Sequence, residues 1–260
     1  MTEVDGKKRQ RPGRPLVIAH RGASAYRPEN TLPAYELAVA QAADMIEIDL
    51  HRTRDGAVVV AHDAELERLG GRGEIGAATL AALRDLDAGG GERIPTLDEV
   101  LDGFGARIPF NLELKQAGHG PYPGLPALAV EGVRARGLLE RTLFSSFYDP
   151  VLHELRRDSA QARIALLLSR RAPEGWVERA HALGAEAVNP ELPLVDRAFV
   201  TRAHAEGLAV FVFTVDPADE MRRLLDLGVD GLFTNVPDRM RQVLGGGGGA
   251  PRVDTRNSIL

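Results

Sequence analysis

The chain has 260 residues, 44% of them apolar and 27% charged, which is enough for one large domain with a substantial core. A formal net charge of -5 argues against a nucleic-acid-binding surface. The chain has no cysteine, which excludes disulfides, thiolate metal ligands and a cysteine nucleophile, and fits a cytoplasmic protein.

Residues 1–14 are polar and basic and read as a disordered leader without the apolar segment of a secretory signal. No run approaches the roughly 18 apolar residues of a membrane span, so no integral membrane association is expected. Short apolar strands then alternate with helical patterns. Strands are expected near Leu16–Ala19, Met45–Leu50, Ile108–Leu114, Thr142–Ser145, Arg163–Leu168, Glu186–Asn189, Ala209–Thr214 and Gly231–Thr234. Between the first two, "TLPAYELAVAQAA" offers Thr31 as N-cap and Pro33 in the first turn of a helix. Near the end, "DPADEMRRLLDLG" reads as a helix that starts at Asp216 and stops at Gly228. The interval from about 51 to 107 breaks the rhythm. It holds a short strand, "AVVVAHD", after the turn signal Asp55-Gly56, then two short helices around Leu80–Leu86 and Leu97–Leu101. Residues 245–260 are glycine-rich at their start and read as a flexible tail. Eight strands with intervening helices predict an α/β protein. Their number and the chain length favour a closed (β/α)8 TIM barrel, residues 15–244, with a small insertion after the second strand.

In a barrel both faces of a strand are covered. Glu47 and Asp49 in "MIEIDLHR" share one face, opposite Ile46, Ile48 and Leu50. "NLELK" repeats the pattern, with Asn111, Glu113 and Lys115 on one face. Glu47, Asp49 and Glu113 can therefore converge at the C-terminal ends of neighbouring strands. Such a trio either binds a cation or pairs with basic side chains. The all-oxygen donor set suits a hard divalent ion, Mg²⁺ or Ca²⁺, rather than zinc. His20 and His62 both fall at strand ends, where imidazoles can serve as general base and general acid. Arg21 and Lys115 can bind an anion such as phosphate. Lysine occurs elsewhere only at positions 7 and 8. His119, His153, His181 and His204 read as ordinary surface residues.

Four stretches, "AHRGASAYRPENT", "EIDLHRTRDGAVVVAHD", "LELK" and "GVDGLFTNVPD", resemble the glycerophosphodiester phosphodiesterases in order and spacing, from about Pro15 to Leu244. The resemblance implies a barrel with an insertion after its second strand. It also implies metal-dependent hydrolysis of a small-molecule glycerophosphodiester to sn-glycerol 3-phosphate and an alcohol. On the matching motifs, Glu47, Asp49 and Glu113 correspond to metal ligands, and His20 and His62 to the base and acid. Arg21, Glu29 and Lys115 correspond to groups around the phosphate. A lysophospholipase D-type phosphodiesterase or lyase acting on lysophospholipids would share this motif set. Two places depart from the family pattern. The family often has a tryptophan in the seventh strand followed by Thr-Val-Asn, where this chain has Phe213 and Asp216. "ELERLGGRG" stands where Asp-Arg-Thr-Thr is usual. Both fall near the expected place of the alcohol group.

Overall fold

The computed structural model describes residues 13–118 and 120–245. The expected leader lies outside these except for Gly13 and Arg14, the expected tail except for Gly245, and His119 lies outside them too. Arg14 is tied down, with Nη2 2.6 Å from Asp44 Oδ1.

In chain order the elements are β1 Leu16–His20, α1 Leu32–Ala40, β2 Met45–Arg52, β3 Val58–Val60, α2 Leu80–Leu83 and α3 Leu97–Phe104. Then come β4 Phe110–Leu114, the two-residue strands β5 Gln116–Ala117 and β6 Gly120–Pro121, α4 Leu125–Ala135, β7 Thr142–Ser146 and α5 Asp149–Asp158. The chain continues with β8 Arg163–Leu168, α6 Trp176–Leu183, β9 Ala187–Pro190, α7 Arg197–Ala205 and β10 Ala209–Val212. It ends with α8 Ala218–Leu227, β11 Gly231–Thr234 and α9 Pro237–Gly245. Among the described residues eight parallel strands, β1, β2, β4 and β7 to β11, run side by side in chain order, and β1 pairs with both β2 and β11 to close the barrel. The fold is the (β/α)8 barrel that the alternating pattern predicts.

Strand alternation divides the core in two. Ile46, Ile48 and Leu50 of β2 and Leu112 and Leu114 of β4 face outward. There they pack in one cluster with helical residues such as Tyr35, Val100, Leu155 and Leu224. The inward cluster is smaller: Leu16, Ile18, Met45, Leu143, Ala165, Ala187, Ala209, Phe211 and Phe233. Only Met45 of β2 belongs to it. The next inward positions of that strand are Glu47, Asp49 and His51, all buried. The barrel interior is thus apolar toward the N-terminal ends of these strands and polar toward their C-terminal ends, the end where such barrels carry their chemistry.

The insertion grows from an extension of β2. Leu50 pairs with Val60 and Arg52 with Val58 in antiparallel register. Gly56, at φ +93°, completes the turn between the strands. The segment has its own small core of Val59, Ala61, Leu66, Ile75, Leu83 and Ile94. α3 lies beyond that core: Leu97, Val100, Leu101 and Phe104 join the main one. A capping box starts it, in which Thr96 Oγ1 accepts from Glu99 N at 3.2 Å and Glu99 Oε2 accepts from Thr96 N at 2.8 Å.

One helix start differs from the sequence reading, and another keeps its expected N-cap residue without the capping bond. Thr31 occupies the N-cap of α1, but its hydroxyl donates to Pro28 O at 2.6 Å instead of capping the helix. α8 begins at Ala218, with Pro217 as N-cap, because the Asp216 carboxylate is taken up by Thr234 and Asn235. Among the described residues no helix is long and apolar enough to cross a membrane.

Candidate active site

β1 delivers His20 at its last residue. The chain then turns sharply. Gly22 sits at φ +84°, and a Cβ there would come within 2.7 Å of the Ala34 carbonyl carbon, so only glycine fits between this turn and α1. The turn aims the Arg21 amide at β2, where it donates to Glu47 O and Oε2, both at 3.0 Å.

The strand register brings the carboxylates together. His20 pairs with Glu47, Glu47 with Asn111, and Asp49 with Glu113. One oxygen from each of Glu47, Asp49 and Glu113 lies within 4.8 Å of the others. Arg21 Nε approaches Asp49 Oδ2 at 3.2 Å, and its Nη1 meets Glu29 Oε2 at 3.0 Å. Lys115 Nζ lies 3.1 Å from Asp49 Oδ1 and 2.9 Å from Glu113 Oε1. Asn30 Nδ2 donates to Asp49 Oδ2 at 2.9 Å and is itself held by the buried Tyr35 hydroxyl at 3.2 Å.

These contacts split the three acids electrostatically. Burial alone would raise Asp49, but Lys115 and Arg21 beside it pull its carboxyl below the usual range. Glu47 is pushed well above that range by burial and by the charges of Asp49 and Glu113. Glu113 is raised by burial, which Lys115 opposes. Burial would lower Lys115, yet Asp49 and Glu113 hold it above its ordinary value, so it stays charged. Glu47 Oε1 is buried with no hydrogen-bond partner among the described residues. A buried acceptor left bare is costly. Oxygens bound to one Mg²⁺ or Ca²⁺ lie at most about 4–5 Å apart. The trio fits a hard divalent cation on three counts: its oxygen donors, its span, and the unpartnered oxygen of an acid whose charge burial disfavours.

His20 and His62 both line the cavity above this cluster. That cavity has a volume of about 240 Å³, with His20, Arg21, Glu47, His62, Glu113 and Lys115 on its polar wall. Phe147, Phe213 and Phe233 add an aromatic wall, with Phe213 edge-on to both others at centroid distances of 5.8 and 6.4 Å. Asp49 lies beneath, 1% exposed. Glu29 lines a neighbouring cavity of about 370 Å³ formed with the insertion, which also touches His62. Every residue singled out in the sequence therefore belongs to one contiguous region. His153 and His181 are exposed, whereas His204 is half-buried and paired with Asp230 at 2.9 Å.

The two imidazoles have different partners. His20 Nδ1 is 2.8 Å from Asn235 Oδ1, and burial together with Arg21 lowers its pKa to about 4, so the ring is neutral at pH 7. His62 Nδ1 is 2.7 Å from Asp63 Oδ1, and Arg68 Nη1 holds the other carboxylate oxygen at 2.9 Å.

His51 escaped the sequence reading. It lies on the same face of β2 as Glu47 and Asp49, two residues on, just past the Leu50 at which the sequence pattern ends the strand. His51 Nε2 must donate to the His62 carbonyl, at 3.1 Å, because a carbonyl only accepts. Its Nδ1 then accepts from the Tyr122 hydroxyl at 2.9 Å. His51 thus pins the backbone that carries His62. Burial lowers its pKa to about 4. The unfolded chain therefore takes up this proton first, near pH 6.5. The stability contributed by the neutral ring is complete above about pH 6.5 and is lost as the pH falls through 4, at roughly 1.4 kcal/mol per pH unit. Melting curves from pH 7.5 to 4 should show a shallower acid loss for His51→Gln than for the wild type. Parallel curves would mean that His51 is protonated in the fold.

The geometry can be set beside known proteins. The model of the glycerophosphoryl diester phosphodiesterase family matches residues 20–239. The chain belongs to this family. It is 33% identical to a glycerophosphodiester phosphodiesterase of Bacillus subtilis, over 89% of this chain and 87% of that one. It is 34% identical to one of Caldanaerobacter subterraneus, over 90% and 99%. A phosphodiesterase of Oleispira antarctica, solved in complex with the product sn-glycerol-3-phosphate, superposes with a TM-score of 0.80 at 32% identity, covering 88% of this chain and 96% of that one. The matched span of the family begins at His20 and ends four residues past Asn235. It therefore takes in every residue of the cavity wall.

Proposed function

We propose that the protein hydrolyses glycerophosphodiesters to sn-glycerol 3-phosphate and an alcohol. In this reading Glu47, Asp49 and Glu113 hold a divalent cation, Mg²⁺ or Ca²⁺, while His20 and His62 act as base and acid. The observation that carries it is the convergence of three carboxylates, two fixed cations and two imidazoles on one cavity of about 240 Å³ at the C-terminal rim of the barrel. The product held by the Oleispira antarctica relative has the chemistry this cavity suits.

When bound, the cation would supply Lewis-acid stabilisation of charge on the phosphoryl oxygens. Lys115 donates to Glu113 and lies 3.1 Å from Asp49 Oδ1, and its three donors leave capacity for a phosphate oxygen. Arg21, braced between Asp49 and Glu29, adds fixed positive charge without reorganising. His20 is neutral, and with Nδ1 engaged by Asn235 its Nε2 can take a proton from the nucleophile, either water or the glycerol 2-hydroxyl. His62 has Nδ1 engaged by Asp63, and its Nε2 gives a proton to the departing alkoxide. The aromatic wall with Phe213 offers apolar surface to the carbon skeleton of the substrate.

The test is release of sn-glycerol 3-phosphate from glycerophosphocholine, glycerophosphoethanolamine and glycerophosphoglycerol, with Mg²⁺ or Ca²⁺ present. EDTA should abolish turnover, and either ion should restore it. No release from any of the three with either ion would defeat the proposal. Faster turnover of lysophosphatidylcholine than of glycerophosphocholine would reassign the enzyme to lysophospholipids.

A further inference from the structure

Asp216 lies in the turn between β10 and α8, and no capping role occupies it. Its backbone is held from two sides: Arg239 Nη1 donates to its carbonyl at 3.0 Å, and the preceding Val215 N donates to Phe233 O at 2.8 Å. Its carboxylate accepts three hydrogen bonds from the end of β11. Oδ1 takes Thr234 Oγ1 at 3.0 Å and Asn235 N at 2.8 Å, and Oδ2 takes Asn235 Nδ2 at 2.7 Å. On the far side of Asn235, its Oδ1 lies 2.8 Å from His20 Nδ1 and 2.8 Å from Ser24 Oγ.

The polarity of this chain follows from donor and acceptor chemistry alone. An ionised carboxylate only accepts. The Asn235 edge facing Asp216 must therefore be its NH₂, and the edge facing His20 must be its carbonyl. The carbonyl also only accepts, so His20 Nδ1 must carry the hydrogen. In the neutral ring the lone pair then sits on Nε2. A neutral amide at position 216 could present either edge. The carboxylate cannot, and so it fixes the direction of the whole relay.

We infer that Asp216 is a positioning residue that sets the tautomer of His20 through Asn235, and thereby leaves Nε2 free to accept a proton. The inference rests on the proposed role of His20 as base, but its structural core can be tested apart from that role.

Asp216→Asn reverses the chain. Thr234 Oγ1 and Asn235 N still need an acceptor, so the new NH₂ points at Asn235. The Asn235 amide must then turn over to offer its carbonyl, and its NH₂ faces His20 Nδ1. The ring answers by moving its hydrogen to Nε2. Adding Asn235→Asp restores an acceptor on both sides and returns the hydrogen to Nδ1. The readout is the two-bond ¹H–¹⁵N correlation spectrum of the histidine side chains at pH 8, without metal or substrate, with the His20 signals assigned by their loss in His20→Gln. The wild type should show Nδ1–H, Asp216→Asn should show Nε2–H, and the double variant Nδ1–H again. With metal and glycerophosphocholine, kcat should fall at least tenfold in the single variant with little change in KM, and recover in the double.

Nε2–H in the wild type overturns the inference even if no variant folds. An unchanged tautomer in Asp216→Asn overturns it as well. A tautomer that moves in the single variant but does not return in the double removes Asn235 from the route. A wild type that hydrolyses nothing defeats the proposed function and leaves the spectra standing.

Discussion

Replacing His62 with alanine is expected to lower kcat on glycerophosphocholine by about 10²- to 10⁴-fold, the range ordinarily supplied by one positioned acid or base. Affinity for the divalent cation should not change, because His62 is not among the clustered carboxylates. The size of the effect follows from the leaving group. A choline alkoxide is strongly basic and departs poorly unless it is protonated as the bond breaks. The His62 ring is well placed for that task. Asp63 takes its Nδ1 and is itself held by Arg68, while His51 grips the His62 carbonyl. The ring is thereby oriented from two directions, with Nε2 left for the substrate. The loss should shrink for a diester with a 4-nitrophenol leaving group, which departs without a proton. Equal losses on both substrates would reject the acid assignment.

The second large effect is expected from Glu47→Gln. The amide can still accept from Arg21 N, as Oε2 does now at 3.0 Å, so the local backbone is preserved. What it loses is the charge. In the metal-free protein burial and the neighbouring acids already disfavour that charge, so the melting temperature without metal should stay level or rise. In the proposed role that charge is a ligand of the cation. Mg²⁺ or Ca²⁺ affinity should drop by at least about 10²-fold, the upper end of the 10- to 100-fold typical of outer-shell substitutions. The stabilisation on adding metal, which follows RT ln(1 + [L]/Kd), should shrink accordingly. Calorimetric titration beside thermal melts reads both quantities. Superimposable titrations of the variant and the wild type would remove Glu47 from the cation site.

Much of this architecture is visible in the sequence, for identifiable reasons. The period of two in "MIEIDLHR" and "NLELK" separates residues facing the helices from those facing the interior, and the structure keeps that separation at Ile46, Ile48, Glu47 and Asp49. Strand and helix alternation suffices for the barrel. What escaped is contact across long stretches of chain. Asn235 meets His20 over 215 residues, and no local pattern announces it. Asp216 looked like a helix start because Asp-Pro before a helical pattern usually is one, but a tertiary demand for its carboxylate outweighed that local preference. His51 lies past Leu50, the last residue of the expected strand, whereas β2 continues into the hairpin with β3. Pairing of the three carboxylates with basic side chains is one of the two readings their spacing allows, and the structure places both Arg21 and Lys115 against Asp49, which spacing alone does not single out.

The seam of the barrel lies along β1, which meets β2 on one edge and β11 on the other. His20 stands on that seam, with Glu47 from one bordering strand and Asn235 just past the end of the other. A half-wound sheet can bury much of its outer layer against helices and pair His20 with Glu47, and still leave Asn235 apart from both. Joining the first and last staves demands a loop closure spanning some 215 residues, and such contacts are slow to form. Turnover, more than helical content or compactness, therefore reports whether the cylinder has sealed.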